Sequence, residues 1–440
     1  MHIKKIKMFD SNEQDMHDVK SKTLLSIIYL LAFISFALNG ENVIIGLLLG
    51  GCLLFQVVFT NDLVYSIPII LIGNDSLGTV FLGKIAFGWF TLALVIVDRF
   101  IKKNRFITKS GLANMVYLFL YTCFLIFVQD TYHSVIVKTV IYLILVLYIV
   151  EHDKKYKVDW DYFFMWFAIG CFLTALHLMM FGGIAYAESS GELTSMRYGI
   201  VGTGTGDPNY GGLRLVTGIV ALMSCRRLRI LKIPMLIVFL YAIVNTISVT
   251  TVMALLVVVV CGVLSENNIS KKLKYIICTI TGVFFLLYFI SIIPPEYLPS
   301  GLEVMLYRIN EKLNLFNVGN YAQATTGRSD LASMQLYLAL KRSTFNFLFG
   351  MDSTPFGGYS VLSHNTFVDL IIHFGIVGFV IFIIKAFKNI TRTYTSLKKN
   401  SNSSDKSLFM LKILYIFFSF GLSIDVDSTF ALWVLFLILL

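Results

Sequence analysis

Two hydrophilic stretches, 182–208 and 294–366, hold a small set of cations apart from the rest of this sequence. Arg197 lies in the first, and Arg308, Lys312, Arg328, Lys341 and Arg342 lie in the second; Arg214 sits just inside the apolar run that follows the first. A guanidinium is a planar fork that grips phosphate oxygens with two hydrogen bonds, so arginines gathered this way point to an anionic ligand. Lys312, Lys341 and Arg342 suit charged heads reaching lipid headgroups. Arg197 and Arg328 have surroundings that favour a ligand.

Arg328 follows Thr326-Gly327 at the expected start of a helix, and Ser363-His364-Asn365 opens the apolar run near Phe367. A helix N-terminus offers free amides and partial positive charge, a natural seat for a diphosphate. His364 in that field stays neutral, as a general base requires. Gly350 and Gly357-Gly358 upstream let backbone pass close to a ligand. His373 falls on the opposite side of the helix, which argues against a two-histidine metal site. The segment Gly202-Thr203-Gly204-Thr205-Gly206 lacks a preceding strand and reads as a flexible loop rather than a nucleotide fingerprint. It stops at Asp207-Pro208-Asn209, where Asp207 or Asn209 is expected to cap the next run.

Other candidates are sparser. Asp425, Asp427 and Glu41 keep a metal-assisted route open, although no metal or cofactor is expected. Lys84 lies deep in an apolar run, whereas Lys138 and His177 lie close enough to run ends to reach an interface. The six cysteines fall in or beside apolar runs, giving neither a disulfide framework nor zinc spacing.

These residues have to be held by elements that composition identifies. The chain has 440 residues, 57% hydrophobic and 14% charged, too apolar for a soluble domain of this size. Its apolar runs are continuous, not alternating, so spanning helices rather than a barrel are expected. Runs lie at 23–38, 43–59, 77–97, 111–128, 134–150, 162–181, 209–224, 233–248, 250–264, 275–293, 367–385, 408–424 and 429–440. The polar stretch 1–22 leads directly into the first, with no leader-type cleavage site.

Most basic residues fall in 1–22, 99–109, 154–157, 226–232, 271–274 and 385–406, flanking runs as cytoplasmic loops do. The net charge of +10 is therefore a topology signal, not a nucleic-acid one. All six loops lie inside only if 63–73 also spans or re-enters. The expectation is an all-α polytopic bundle of about 14 spans (12–14), with both termini cytoplasmic. Its parts are a cytoplasmic tail 1–22, a first bundle 23–293 with outer loop 182–208, a large outer loop 294–366, and C-terminal helices 367–440 with inner loop 386–407. In the large loop, Leu302, Met305, Leu306, Ile309, Leu313 and Phe316 recur at helical spacing and predict an amphipathic helix on the outer interface. Ser329 is expected to cap a second helix, with Met334, Tyr337 and Leu338 on one face, ending near Gly350.

Three segments in this order resemble the O-antigen polymerase and O-antigen ligase superfamily, the Wzy-type proteins of bacterial envelopes. They are Arg197 through Gly202 to Asp207-Pro208-Asn209, then Thr326-Gly327-Arg328, then the glycine turn leading to His364-Asn365 with Gly375-Ile376-Val377-Gly378 beyond. The final stretch 423–440 is similar as well. The resemblance implies a glycosyltransferase of the bacterial cytoplasmic membrane. Its donor would be a polyprenyl-diphosphate-linked oligosaccharide, used on the outer face.

In that scheme His364 takes the proton from the acceptor hydroxyl, and Arg197 and Arg328 hold the departing diphosphate. Arg214, Arg308 and Asn365 are further diphosphate contacts. The acceptor is another lipid-linked repeat unit for a polymerase, or a lipid A core or protein for a ligase. Richness in Lys, Asn and Ile fits a capsule or exopolysaccharide polymerase. Membrane lipids, a flippase and a chain-length regulator are the expected partners. A lipid-glycan flippase is the non-enzyme alternative, disfavoured because the ionic candidates cluster in loops rather than at the bilayer midplane.

Overall fold

The computed structural model describes residues 21–60, 62–73, 77, 79–80, 85–102, 133–181, 183–187, 194–198, 208–266, 268–292, 300–325, 328–341, 343–350, 363–400, 403–424 and 430–440. Among them the apolar runs fold as helices, because a continuous apolar stretch satisfies its own backbone only in that form. In order they are α1 (Ser21–Ala37), α2 (Val43–Phe59), α3 (Leu63–Gly73), α4 (Phe87–Ile101), α5 (His133–Tyr156), α6 (Trp160–Phe181) and α7 (Pro208–Ser224). Then follow α8 (Lys232–Thr246), α9 (Val249–Leu264) and α10 (Ile269–Ile292). The large loop contributes α11 (Ser300–Asn317), α12 (Tyr321–Ala324), α13 (Arg328–Leu340) and α14 (Thr344–Phe349). The chain closes with α15 (Thr366–Asn400), α16 (Ser403–Ser419), α17 (Phe430–Val434) and a π-helical turn, Leu435–Leu439. Two helices, Trp160–Phe181 and Thr366–Lys399, are long and apolar enough to cross a membrane. The apolar helices α1, α2, α3, α8 and α9 are shorter, and the expected run 111–128 lies outside the described residues.

Four local expectations are corrected. Residues 77–97 do not form one helix: β1 (Thr79–Val80) pairs antiparallel with β2 (Ile85–Ala86), and α4 begins only at Phe87. Gly78 and Gly83 in that stretch lower its helix propensity. Nor is the stretch expected as outer loop, 182–208, irregular throughout. It contains a hairpin, β3 (Gly183–Ala187) with β4 (Thr194–Tyr198), in which Arg197 lies opposite Ile184. The helix expected from Ser329 to Gly350 is two helices, because Ser343 Oγ accepts the Asn346 N–H and starts α14 afresh. The stretch 386–400, expected as loop, continues α15 as helix.

The bundle core is set by α6, which packs on α3 and α7, and by α16, which packs on α7, α9 and α15. Polar contacts define its two ends. At one, Arg227 Nη2 lies 2.8 Å from Asp159 Oδ2, Arg226 N–H donates to Asp161 Oδ1 at 2.8 Å, and Lys406 Nζ lies 3.6 Å from Glu266 Oε2. Ser224, at the end of α7, meets Ser407, near the start of α16. At the other end Tyr210, near the start of α7, donates to the Ser423 carbonyl just beyond α16 at 2.8 Å. α7 and α16 are therefore antiparallel neighbours. Close approach of α7 and α9 depends on Gly212, where a Cβ would lie 1.8 Å from Thr251 Oγ1.

Helix α15 is broken at Gly375, whose φ of 65° and ψ of 176° belong to glycine alone. Gly350, which ends α14 at φ 88° and ψ 168°, backs onto this break. A Cβ on Gly350 would lie 2.4 Å from the His373 carbonyl oxygen, and one on Gly375 would lie 2.3 Å from that of Leu348. The two glycines thus lock α14 to the break and set the direction of residues 366–374. Gly375→Ala is expected to lower stability by about 3 kcal/mol or more, because it combines a forbidden backbone region with a backbone clash. Thermal unfolding in detergent checks this; an unchanged midpoint would mean that α15 straightens at no cost.

A buried ionic network ties α4 to α5 past the ends of their apolar runs. Tyr148 Oη donates to Asp98 Oδ2 at 2.9 Å, and Lys102 bridges Asp98 to the Thr60 carbonyl. Arg99 lies 4.6 Å over the Tyr148 ring. Burial, reinforced by Arg99, lowers the pKa of the neighbouring His152 to about 4. The folded chain thus keeps His152 neutral where the unfolded chain would protonate it. Its contribution to stability is complete above pH 6.5 and is lost as pH falls toward 4, on the order of 3 kcal/mol in total. Unfolding midpoints between pH 7 and pH 4 should fall steeply for the native chain and less for His152→Gln. Parallel pH profiles would exclude this residue as the cause.

Candidate active site

The segment 421–424, immediately after α16, is where sequence-distant candidates meet. Arg328, the first residue of α13, donates from Nη1 to the Gly421 carbonyl at 2.8 Å. Thr366, the first residue of α15, donates to the Leu422 carbonyl at 2.6 Å and accepts the Ile424 N–H at 2.9 Å. Tyr210 of α7 holds the next carbonyl, that of Ser423. Ser423 Oγ is buried and has no hydrogen-bond partner among the described residues. One short strip of backbone therefore fixes the starts of α7, α13 and α15 against one another.

His364 stands two residues before Thr366, half-buried, with φ of 54°. Histidine tolerates this left-handed region better than most residues, yet it carries strain of the kind that clusters at functional positions. Asn365 caps α15: its Oδ1 accepts the N–H groups of Phe367 at 3.0 Å and Val368 at 3.3 Å. Those amides are engaged by the cap, and buried Asp369 already complements the helix dipole. Positive charge for an anion thus has to come mainly from side chains. The Asn365 amide NH2 remains the part of that residue suited to a ligand.

The other arginines approach the same end of the bundle. Arg308 of α11 donates to the Ile247 carbonyl at 3.2 Å, in the tight turn between α8 and α9. Ser248 in that turn donates to Asn209 Oδ1 at 2.5 Å and accepts from Thr251 Oγ1 at 2.9 Å. Asn209 is thus spent joining α7 to α9, while Pro208 supplies the first helical residue. Strand β4, which carries Arg197, packs against α7, α8 and α11, so its backbone runs beside the helices bearing Arg214 and Arg308. Arg214 itself is buried in α7. Arg308 and Arg328 thus each hold a main-chain carbonyl, Arg308 that of Ile247 and Arg328 that of Gly421.

Several candidates separate from this group. Lys312 donates to the Ala324 carbonyl at 2.9 Å and braces α11 on α12. Lys341 lies 4.4 Å over the Tyr337 ring. His177 is buried and hydrogen-bonds Asn39, just beyond the end of α1, at 3.1 Å. Glu41 is exposed beside α2. Lys84, Gly202, Asp207, Asp425 and Asp427 lie outside the described residues, as do Thr326 and Gly327.

Sequence reasoning missed Tyr210 and Thr366, whose hydroxyls make the long-range ties. It also missed Lys412, fully buried in α16, which donates to Asn389 Oδ1 at 3.0 Å and to Thr393 Oγ1 on α15. The signal was a lone lysine inside the run 408–424. Asn389→Leu leaves this ammonium short of an acceptor and should cost about 2–3 kcal/mol, whereas Lys412→Met removes the charge and should cost less. Melting of the two variants in one detergent orders them; a milder Asn389→Leu would mean that the ammonium is not held as described. No family model matches the sequence, and neither a curated protein nor a solved structure matches it.

Proposed function

We propose that this chain is a polytopic glycosyltransferase of the Wzy type. It joins polyprenyl-diphosphate-linked oligosaccharide repeat units on the outer face of the bacterial cytoplasmic membrane, building a capsule, exopolysaccharide or O-antigen. The observation that carries the proposal is the common anchorage of Arg328 and the His364–Thr366 turn on 421–424. Arg328 and Thr366, the latter two residues after the candidate base, hold one piece of backbone from 38 positions apart in sequence.

The membrane reading is supported by apolar faces left uncovered on α8, α9 and α10, including Ile233, Ile237, Val260, Leu264 and Ile269. So extensive an uncovered apolar surface is foreign to a water-soluble monomer. The basic loops after α5, α7 and α10's start fall at the end opposite the candidate site, which with the positive-inside bias supports an outer position for that site. About 14 spans with both termini cytoplasmic complete this topology.

In the reaction His364 accepts the proton of the acceptor hydroxyl while that oxygen bonds to the donor's anomeric carbon. The bond from that carbon to the lipid diphosphate breaks on the opposite face, inverting the centre. Arg197 and Arg328, backed by Arg214 and Arg308, stabilise charge as it gathers on the diphosphate, and preorganised charge of this kind supplies much of a rate enhancement. A host deleted for the chain should accumulate lipid-linked single repeat units on the outer face. Units confined to the inner leaflet would instead indicate a flippase. Normal polymer left unattached to its final acceptor would indicate a ligase.

A further inference from the structure

Helix α11 carries a feature that the reaction above does not use. Tyr307, Asn310, Glu311 and Asn314 follow one another at spacings of three, one and three residues, which aligns them on one face. Together with Leu315 and Val318 they line an open groove of about 280 Å³. Among the described residues none of the four polar side chains engages another group of the protein, and the Tyr307 ring is 59% exposed. The opposite side of the same helix carries Ile309, Leu313 and Phe316, from the apolar face expected at the lipid interface. The inner side, through Val304 and Arg308, is turned toward the bundle. Rotation about the helix thus separates a bundle side, a lipid side and a polar side turned away from the bilayer.

We propose that this polar side is a glycan-binding subsite for the uncharged oligosaccharide of the lipid-linked repeat unit. The assignment rests on the glycosyltransferase reading. Side-chain amides and a carboxylate in a row match the paired donors and acceptors of vicinal sugar hydroxyls, and an exposed tyrosine ring stacks on the apolar face of a pyranose. One mobile carboxylate among neutral donors suits a neutral glycan better than a second diphosphate. From Tyr307 to Val318 the groove is about 16 Å long, enough for a few sugar rings. It begins beside Arg308, which holds the Ile247 carbonyl in the α8–α9 turn at the same end of the bundle as the candidate site, so a glycan extending from a diphosphate held there runs naturally along α11.

The test uses the full chain in lipid nanodiscs and, as probe, single repeat-unit oligosaccharides released from the host's own surface polysaccharides, without lipid or phosphate. Saturation-transfer NMR and calorimetry measure binding to the native chain, to Tyr307→Ala and to the double variant Asn310→Ala/Asn314→Ala. All three substitutions are on an exposed face, and equal melting temperatures verify folding. The expected result is binding to the native chain, weakened at least about tenfold in the variants and unchanged in Arg328→Gln, which keeps a donor for the Gly421 carbonyl. No binding at millimolar probe, or equal binding by the variants, overturns the subsite. The probe has no diphosphate, so binding with this pattern by a protein that makes no polymer would defeat the polymerase reading and leave the subsite standing.

Discussion

His364→Ala is expected to abolish polymer formation, lowering the rate by about 10²–10⁴-fold, the range lost with a general base. Lipid-linked single units should remain exposed on the outer face. Because residue 364 occupies the left-handed region, alanine there adds a backbone penalty of about 1–2 kcal/mol that has nothing to do with proton transfer. His364→Asn separates the two effects: asparagine tolerates this conformation but cannot serve as a base. The account requires both variants to be inactive and His364→Asn to melt close to the native chain. An active His364→Asn would reduce His364 to a turn residue.

Arg328 carries the second large effect. Its loss should cost about 10²–10³-fold in kcat, as expected for one preorganised group facing developing charge. The residue also holds the Gly421 carbonyl, so Arg328→Ala disturbs the anchorage and the electrostatics together. Arg328→Gln is the cleaner change, since its amide can still donate to that carbonyl but carries no charge. Arg328→Lys retains charge without the fork and should fall between the two. A native rate in Arg328→Gln would remove the arginine from the chemistry and leave it a structural tie.

The bundle was legible where apolar runs are uninterrupted. Val43–Phe59 and Leu63–Gly73 match the expected runs in full, and α6 and α9 differ from theirs only at their first residues. Hydropathy reports burial in an apolar medium, and over such lengths only a helix satisfies the backbone. It does not report interruptions. The break at Gly375 depends on Gly350 meeting it from 25 positions away, a contact invisible to any local pattern. The β3–β4 hairpin pairs residues whose alternation is too weak to mark the strands or their register.

The site was legible as residue types and not as an arrangement. Arg328 and His364 stood out because charge and imidazole are scarce in the long stretches between the apolar runs of this chain. The segment 421–424 ties Arg328 to Thr366, two residues after His364, through main-chain carbonyls, which any residue supplies and no sequence marks. Lys412 escaped for a related reason, since one lysine in an apolar run scarcely moves its average hydropathy.

The central claim is tested most directly by purified protein in liposomes, incubated with the host's polyprenyl-diphosphate-linked repeat unit with and without EDTA and resolved by gel. The account predicts a ladder of lengthening oligosaccharide-lipids that survives EDTA and vanishes in His364→Ala. Absence of any ladder from well-folded native protein, with lipid-linked acceptor in excess, would contradict it.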